Sequence, residues 1–149
     1  RRVLGPSLTS EGAYDAVGNL NSYLDTSTLH LYQSTRHPGI GGWGDNGYGS
    51  ITWAINELAH VQSPSKPYVS TEGGYSTNAT NVSEAADAKY TPRMFAEFFR
   101  RGFSSTVKYE LLTSDGQELG LLRDDGSEKP SFIATTVEAM SAALRTRAD

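Results

Sequence analysis

Hydrophobic positions along this chain alternate between two rhythms. Short β-rich runs, apolar at every second position or nearly throughout, occupy 3–6, 28–32, 68–71 and 106–112, and each predicts a strand. After each run the apolar spacing lengthens to three or four. Ala13, Val17, Leu20 and Leu24 follow the first run, and Ile51, Ile55 and Leu58 follow the second. Met94, Phe95, Phe98 and Phe99 follow the third; Ile133, Val137, Met140 and Leu144 follow the fourth. Each stripe predicts a helix that lays one face on a sheet. The third helix has two possible starts: a capping box from Asn81 to Glu84, or Thr91 with Pro92 in the first turn. Gly102 is placed to close it.

Strands separated in strict alternation by helices need crossover connections, which make a parallel sheet and an α/β class. Within the strands the two faces differ. In "TLHLY", Leu29 and Leu31 face one way while His30 and Tyr32 face the other. In "TVKYELL", Val107, Tyr109 and Leu111 oppose Lys108 and Glu110. A doubly wound sheet is covered by helices on both faces and tends to be apolar throughout, so a polar face points instead to the interior of a barrel near its C-terminal rim. The two long loops, 33–49 and 73–81, follow strand C-terminal ends, where α/β folds place their ligand sites.

Composition narrows the field. The 149 residues amount to about one domain, expected to span 1–149, and a second full domain is not expected. Thirteen Lys plus Arg against 17 Asp plus Glu give a net charge of −4. No basic cluster larger than an arginine pair, Arg1-Arg2 or Arg100-Arg101, occurs, so no nucleic-acid footprint is expected and neutral or weakly polar substrates fit better. Cysteine is absent, which excludes disulfides and thiolate metal sites. No apolar run approaches the roughly 18 residues of a membrane span. The chain opens on Arg1 without Met or a signal sequence and reads as a processed or excised piece. A soluble protein is expected; its localisation is open, with secretion from a bacterium as one reading.

Two carboxylates stand at strand ends. Glu72 closes the run 68–71 just before Gly73 and Gly74, and Glu110 lies in the fourth run. On neighbouring strands about 4.8 Å apart, their carboxyl groups would come within several ångströms of each other. That spacing suits retaining glycoside hydrolysis, which needs a nucleophile and a protonated acid about 5 to 5.5 Å apart. A neighbouring carboxylate also raises one pKa, which keeps an acid protonated near neutrality. Glu110 reads equally as a structural charge paired with Lys108 or Arg123.

"PYVSTEGGYST", the polar strand "LHLY", and "YELL" followed by "GLLRDDGSEKPSF" resemble the last four strands of the (β/α)8 barrels of clan A glycoside hydrolases. The resemblance implies a (β/α)4 half of a TIM barrel, parallel strands with outer helices, over nearly the whole chain. It implies a nucleophile at Glu72, from the Glu that ends strand seven in a "TE-x-G" setting, and sugar or nucleophile contacts from His30 and Tyr32 on strand six. The clan's acid/base Glu, at the end of strand four, has no counterpart in the sequence, and "YELL" lacks the Trp usual on strand eight. Two copies related by a two-fold axis would restore eight strands. In such a homodimer Glu110 becomes the candidate acid/base.

Further substrate contacts are expected from Trp43, an indole in a glycine-rich loop suited to stacking on a sugar, and from Tyr75, just past Glu72. Trp53 falls in a helical stripe and reads as core. Asp45 and Asn46 read either as sugar contacts or as an ordinary turn. His30, His37 and His60 show no metal-ligand spacing, and "GIGGWG" fits neither the dinucleotide nor the P-loop pattern. Neither a metal nor a cofactor is expected. The leading reading is a retaining glycoside hydrolase acting on β-linked plant-type oligosaccharides or aryl glycosides, of glucosidase, xylosidase or arabinofuranosidase type. The alternatives are a catalytically inactive carbohydrate-binding barrel fragment and a flavodoxin-like binding domain.

Overall fold

A computed structural model describes residues 1–8, 10–62, 66–114 and 116–138. Three parallel strands, β1 (Ser27–His30), β2 (Tyr68–Glu72) and β3 (Phe103–Thr106), form a sheet in the order β1-β2-β3. Helix α1 (Glu11–Val17) precedes β1; α2 (Ile51–Val61) links β1 to β2; α3 (Glu84–Arg100) links β2 to β3. A short α4 (Pro130–Ile133) and a π-helical turn (Ala134–Glu138) complete the described elements. The α/β class and the parallel crossovers agree with the sequence pattern.

The first expected strand, 3–6, is reduced to isolated parallel bridges, Leu4 with Thr26 and Leu8 with Leu29. Gly5 N still donates to Thr26 O at 2.8 Å and Asp25 N to Val3 O at 2.8 Å, so this segment runs beside β1 as a fourth track. Pro6 has no N–H to give to a ladder, which explains why the pairing is broken there. At the other edge the expected strand 106–112 is shifted towards the N-terminus. The ladder runs over Phe103–Thr106 and is followed by single bonds from Val107 N to Ser70 O (2.8 Å) and Tyr109 N to Gly73 O (2.9 Å). Beyond Tyr109 the chain pairs with 119–122 instead: Leu121 N donates to Glu110 O and Leu122 N to Leu111 O. Ser104 and Ser105 masked the start of β3, because two exposed serines on an edge carry no apolar alternation.

The second and third stripes form helices where expected, whereas α1 ends at Val17 with Gly18 at its C-cap, so Leu20 and Leu24 of the first stripe lie beyond it. The fourth stripe begins at the end of α4 and runs into the π-helical turn. Ser50 Oγ accepts from Trp53 N at 3.0 Å to start α2, and Ser83 Oγ accepts from Ala86 N at 3.2 Å to start α3. Asn81 is therefore not the cap; its side chain bonds to Asn78 and Ser76 within the preceding loop. Thr91 and Pro92 lie inside α3 rather than at its start. Gly102, at φ +85°, closes α3 in the left-handed conformation that glycine adopts without strain. Met140 and Leu144 of the fourth stripe lie outside the described residues.

The core sits between the helices and the outward face of the sheet, where Leu29 and Leu31 of the β1 region meet Ile51, Trp53, Ala54, Leu58, Met94, Phe98 and Phe103. Trp53 is a core residue, as its stripe position predicts. The opposite face carries Ser7, Thr28, His30 and Thr71, joined by hydrogen bonds. Of the aromatic pair on α3, Phe98 is fully buried against the Phe103 ring, at 4.7 Å between centroids, whereas Phe99 is 72% exposed. Phe98→Ala should therefore lower unfolding stability by about 3–5 kcal/mol in urea titration, while Phe99→Ala should stay within about 0.5 kcal/mol of the parent.

Candidate active site

The C-terminal ends of β1 and β2 are out of register by one residue. Leu29 pairs with Ser70, but His30 pairs with Glu72, so Thr71 is an extra residue bulged into β2. A bulge breaks the strict alternation of faces and re-aims the side chains that follow it. Here both neighbours reach the same imidazole: Thr71 Oγ1 lies 3.0 Å from His30 Nε2, and Glu72 Oε2 lies 3.4 Å from His30 Nδ1. Ser70, buried on the other face, donates its hydroxyl to Glu72 O at 2.8 Å and fastens the bulge. Glu72 thus turns onto the polar face at the strand end.

Tyr32, just beyond β1, donates its hydroxyl to Glu72 Oε2 at 2.8 Å. Its phenol is pushed above the ordinary tyrosine range, first by burial and then by its hydrogen bond to the Glu72 carboxylate. The proton therefore stays on Tyr32 and points at the carboxylate. His30 is oriented from below. Thr28 Oγ1 donates to Gly5 O (2.6 Å) and Ser7 Oγ donates to Thr28 Oγ1 (2.7 Å), so Ser7 has no proton left for Thr71, 3.1 Å away. Thr71 then donates to Ser7 and accepts from His30 Nε2. That one-way chain puts a proton on Nε2 and leaves Nδ1 facing Glu72.

Behind Glu72 the chain must leave at once. A Cβ on Gly74 would fall 2.5 Å from Tyr109 O and 2.7 Å from Lys108 Nζ, and one on Gly73 would fall 3.3 Å from Leu31 O. The close passage of the 107–109 segment therefore requires a glycine at 74, while a side chain at 73 would press on Leu31 O and Met94 Sδ, both at 3.3 Å. Lys108 supports that passage, its ammonium donating to Tyr109 O at 2.6 Å and to Leu119 O. Burial lowers its pKa to about 8.

Glu72 is one-third exposed and opens into a cavity of about 480 Å³. Polar groups of Ser34, Ser76, Asn78, Asn81 and Gln117 line it, with Tyr32, Tyr109 and Leu119 as partial apolar walls. Among the described residues lining it, Glu72 is the one carboxylate and there is no Lys or Arg. A carboxylate with a fixed donor, facing hydroxyl-sized polar groups, is an arrangement suited to a polyhydroxylated, uncharged ligand.

The sequence-predicted residues divide into those this site gathers and those it does not. Glu72, Tyr32 and His30 come together. Trp43 lines a neighbouring cavity with His30 and Tyr32, its ring beneath the Arg36 guanidinium at 4.9 Å. Tyr75 is 1% exposed, packed against Tyr90 with its hydroxyl 3.5 Å from Gln33 Oε1, and lines no part of the Glu72 cavity. Glu110 is likewise outside it. Its carboxylate accepts from Ser114 N at 3.1 Å and Ser114 Oγ at 2.9 Å, while Arg123 forms its two-pronged ion pair with Glu84. Asn46 serves a turn, accepting from Tyr48 N. Ser34, Asn78 and Gln117 were missed by pattern reasoning, because small polar residues in loops carry no signature of their own. Among the described residues no group of three or more His, Asp or Glu could hold a metal, and no helix is long and apolar enough to cross a membrane.

No protein-family model matches the chain, and no curated protein matches it. Solved structures do. One is a GH2 β-galacturonidase from Eisenbergiella tayi bound to galacturonate, with TM-score 0.57 and 12% identity, covering 80% of this chain and 24% of that one. A second is a GH5_18 protein from Bifidobacterium longum subsp. infantis, with TM-score 0.56 and 18% identity, covering 86% and 32%. A β-glucuronidase from Bifidobacterium dentium, complexed with coumarin-3-O-glucuronide, gives 0.54 and 20%, covering 79% and 21%. The likeness is one of fold. The chain spans about a quarter to a third of the length of these proteins.

The passage behind Glu72 generates a direct test. Gly74→Ala, forced against backbone, should cost about 1–3 kcal/mol of stability by urea denaturation. Gly12→Ala on α1, where a Cβ meets nothing within 4 Å, should be neutral or stabilising by a few tenths of a kcal/mol.

Proposed function

We propose that the chain is a (β/α)4 part of a TIM barrel over 1–149 that carries the nucleophile of a retaining glycoside hydrolase, with Glu72 in that role. The observation that carries the reading is the Glu72 carboxylate at a parallel-strand end, hydrogen-bonded by Tyr32 and opening into a polar cavity. The fold-level likeness to solved glycoside hydrolases supports it. In the reaction a Glu72 oxygen bonds to the anomeric carbon as the glycosidic C–O bond breaks, and an acid protonates the departing oxygen. Water then cleaves the glycosyl ester, losing its proton to that same group, and configuration is retained. Tyr32 holds the carboxylate in place through its hydrogen bond to Oε2.

The acid reaches the cavity from outside the described lining. Val3 and Leu4 on one sheet edge, and Val107, Leu111 and Leu112 beside the other, are exposed apolar residues that further strands would cover. A second copy of the chain is the occupant we propose, closing the barrel as a homodimer. In that assembly Glu110, released from Ser114, is the candidate acid/base facing Glu72 of the other copy. The lack of Lys or Arg among the described lining residues favours a neutral β-linked sugar of the glucosidase, xylosidase or arabinofuranosidase kind over a uronic acid. A carbohydrate-binding fragment without turnover is the second reading, favoured by the lack of a second carboxylate among the described lining residues.

On this reading, Glu72→Gln lowers hydrolysis of an aryl β-glycoside by roughly a thousandfold or more while folding is kept. Tyr32→Phe, losing a hydrogen bond to a charged group of about 1.5–3 kcal/mol, lowers kcat/KM roughly 10- to 150-fold. Saturable sugar binding with no turnover of any nitrophenyl glycoside in a panel would select the binding reading.

A further inference from the structure

Among the described residues, two that are not glycine take a positive φ, Ser34 at 53° and Glu118 at 54°. Ser34 belongs to the wall of the Glu72 cavity, just beyond the Tyr32 that donates to the carboxylate. It is the first central residue of a turn, which Arg36 N closes by donating to Gln33 O at 3.0 Å. Turns with positive φ at that place are dominated by Gly, Asn and Asp, because the left-handed region crowds a Cβ. Ser34 is held there from both sides, since Gln33 before it and Pro38 further on are fully buried. Strain of this kind persists only where the surroundings over-determine it, and it gathers at ligand clamps and active sites.

The Ser34 hydroxyl is also the idle one in the cavity wall. Ser76 Oγ donates to Gln117 O and accepts from Asn81 Nδ2. Asn78 Oδ1 accepts from Asn81 Nδ2 at 2.7 Å and from both Thr80 N and Thr80 Oγ1. Tyr32 is bonded to Glu72, and Tyr109 and Gln117 are engaged as well. Of the described polar side chains lining the cavity, Ser34 alone makes no hydrogen bond to the protein. A hydroxyl has one donor and two acceptor sites, and none of these is committed before a ligand arrives.

We propose that Ser34 is a specificity-determining residue: its hydroxyl reads one hydroxyl group of a sugar bound in the Glu72 cavity, and the positive φ at this position aims it there. The proposal rests on the reading of that cavity as a sugar site, and adds which side chain of the wall selects the sugar. An analogue lacking the matching hydroxyl leaves Ser34 unpaired beneath it, and sites that select by hydrogen bonding reject such analogues. The strained backbone has a second consequence. Glycine at 34 relaxes the turn, so the residue that suits the fold best is not the one that suits binding best.

The test titrates methyl β-D-glucopyranoside, methyl β-D-xylopyranoside and methyl α-L-arabinofuranoside, and then the monodeoxy forms of whichever binds best. Calorimetry and ligand-observed NMR read affinity in Glu72→Gln protein, with Ser34 kept or replaced. Ser34→Ala is expected to weaken the best-bound sugar roughly 3- to 10-fold, yet to bind one monodeoxy form as well as the Ser34 protein does. Ser34→Gly is expected to show the same loss with an unfolding temperature equal to the parent's or higher. Circular dichroism checks that each variant folds. No saturable binding of any of the three sugars, equal affinity with and without the Ser34 hydroxyl, or a loss that is the same for every monodeoxy form overturns the proposal. The two readings fail separately. Aryl glycoside turnover with the same kcat/KM in Ser34→Ala and the parent sinks the Ser34 role and spares the nucleophile, whereas Ser34-dependent binding without turnover of any glycoside does the reverse.

Discussion

The bulge at Thr71 governs the rest of the site. In a regular parallel ladder, successive side chains go to opposite faces, and Glu72 would project to the side of Tyr68 and Ser70 while Thr71 faced His30. One extra residue in β2 puts Thr71 and Glu72 on the same imidazole. Everything that gives Glu72 its chemistry follows from that shift: the Tyr32 phenol as donor, the His30 contact and the open cavity. The shift is fastened by Ser70 and followed by Gly74, where the 107–109 segment crosses too near for any side chain.

A chain of hydroxyl hydrogen bonds holds the polar face of the sheet together. The chain from Gly5 O through Thr28, Ser7 and Thr71 to His30 has each hydroxyl donating once, so each buried polar atom finds a partner and the ring direction is set. Such a face tolerates water and hydroxylated ligands. The other face is the hydrophobic core, and the contrast between the two lets so small a sheet keep a carboxylate at its rim without burying it. The apolar residues left exposed along both edges are the counterpart of that arrangement, and they are the surface that further strands would take up.

Much of this was legible in the sequence, for identifiable reasons. Helix stripes such as Met94 and Phe98 were readable because burial on one side imposes a period, and the polarity of His30 and Tyr32 against Leu29 and Leu31 was readable because a strand alternates. Glu72 stood out as a charge between a β-rich run and two glycines. Other features were hidden. The bulge changes no residue type, so nothing in "STE" announces it. Glu110 looked like the natural partner of Glu72 from strand alternation, but the ladder ends at Thr106 and its carboxyl goes to Ser114 instead. Tyr75 sits next to the site in sequence and in the core in space, because the glycine turn swings it under α3. Asn78 and Gln117 reach the cavity from loops, where composition carries no direction.

The central claim is that Glu72 forms the covalent bond to sugar. Incubation with an activated 2-deoxy-2-fluoro β-glycoside, followed by proteolysis and mass spectrometry, tests it most directly, because the fluorine slows hydrolysis of the ester and leaves the sugar on its carboxylate. The account predicts one fluoroglycosyl group per chain, located on Glu72. An adduct on Glu110 or any other carboxylate, or steady turnover of the parent glycoside by a protein whose Glu72 is never labelled, would contradict it.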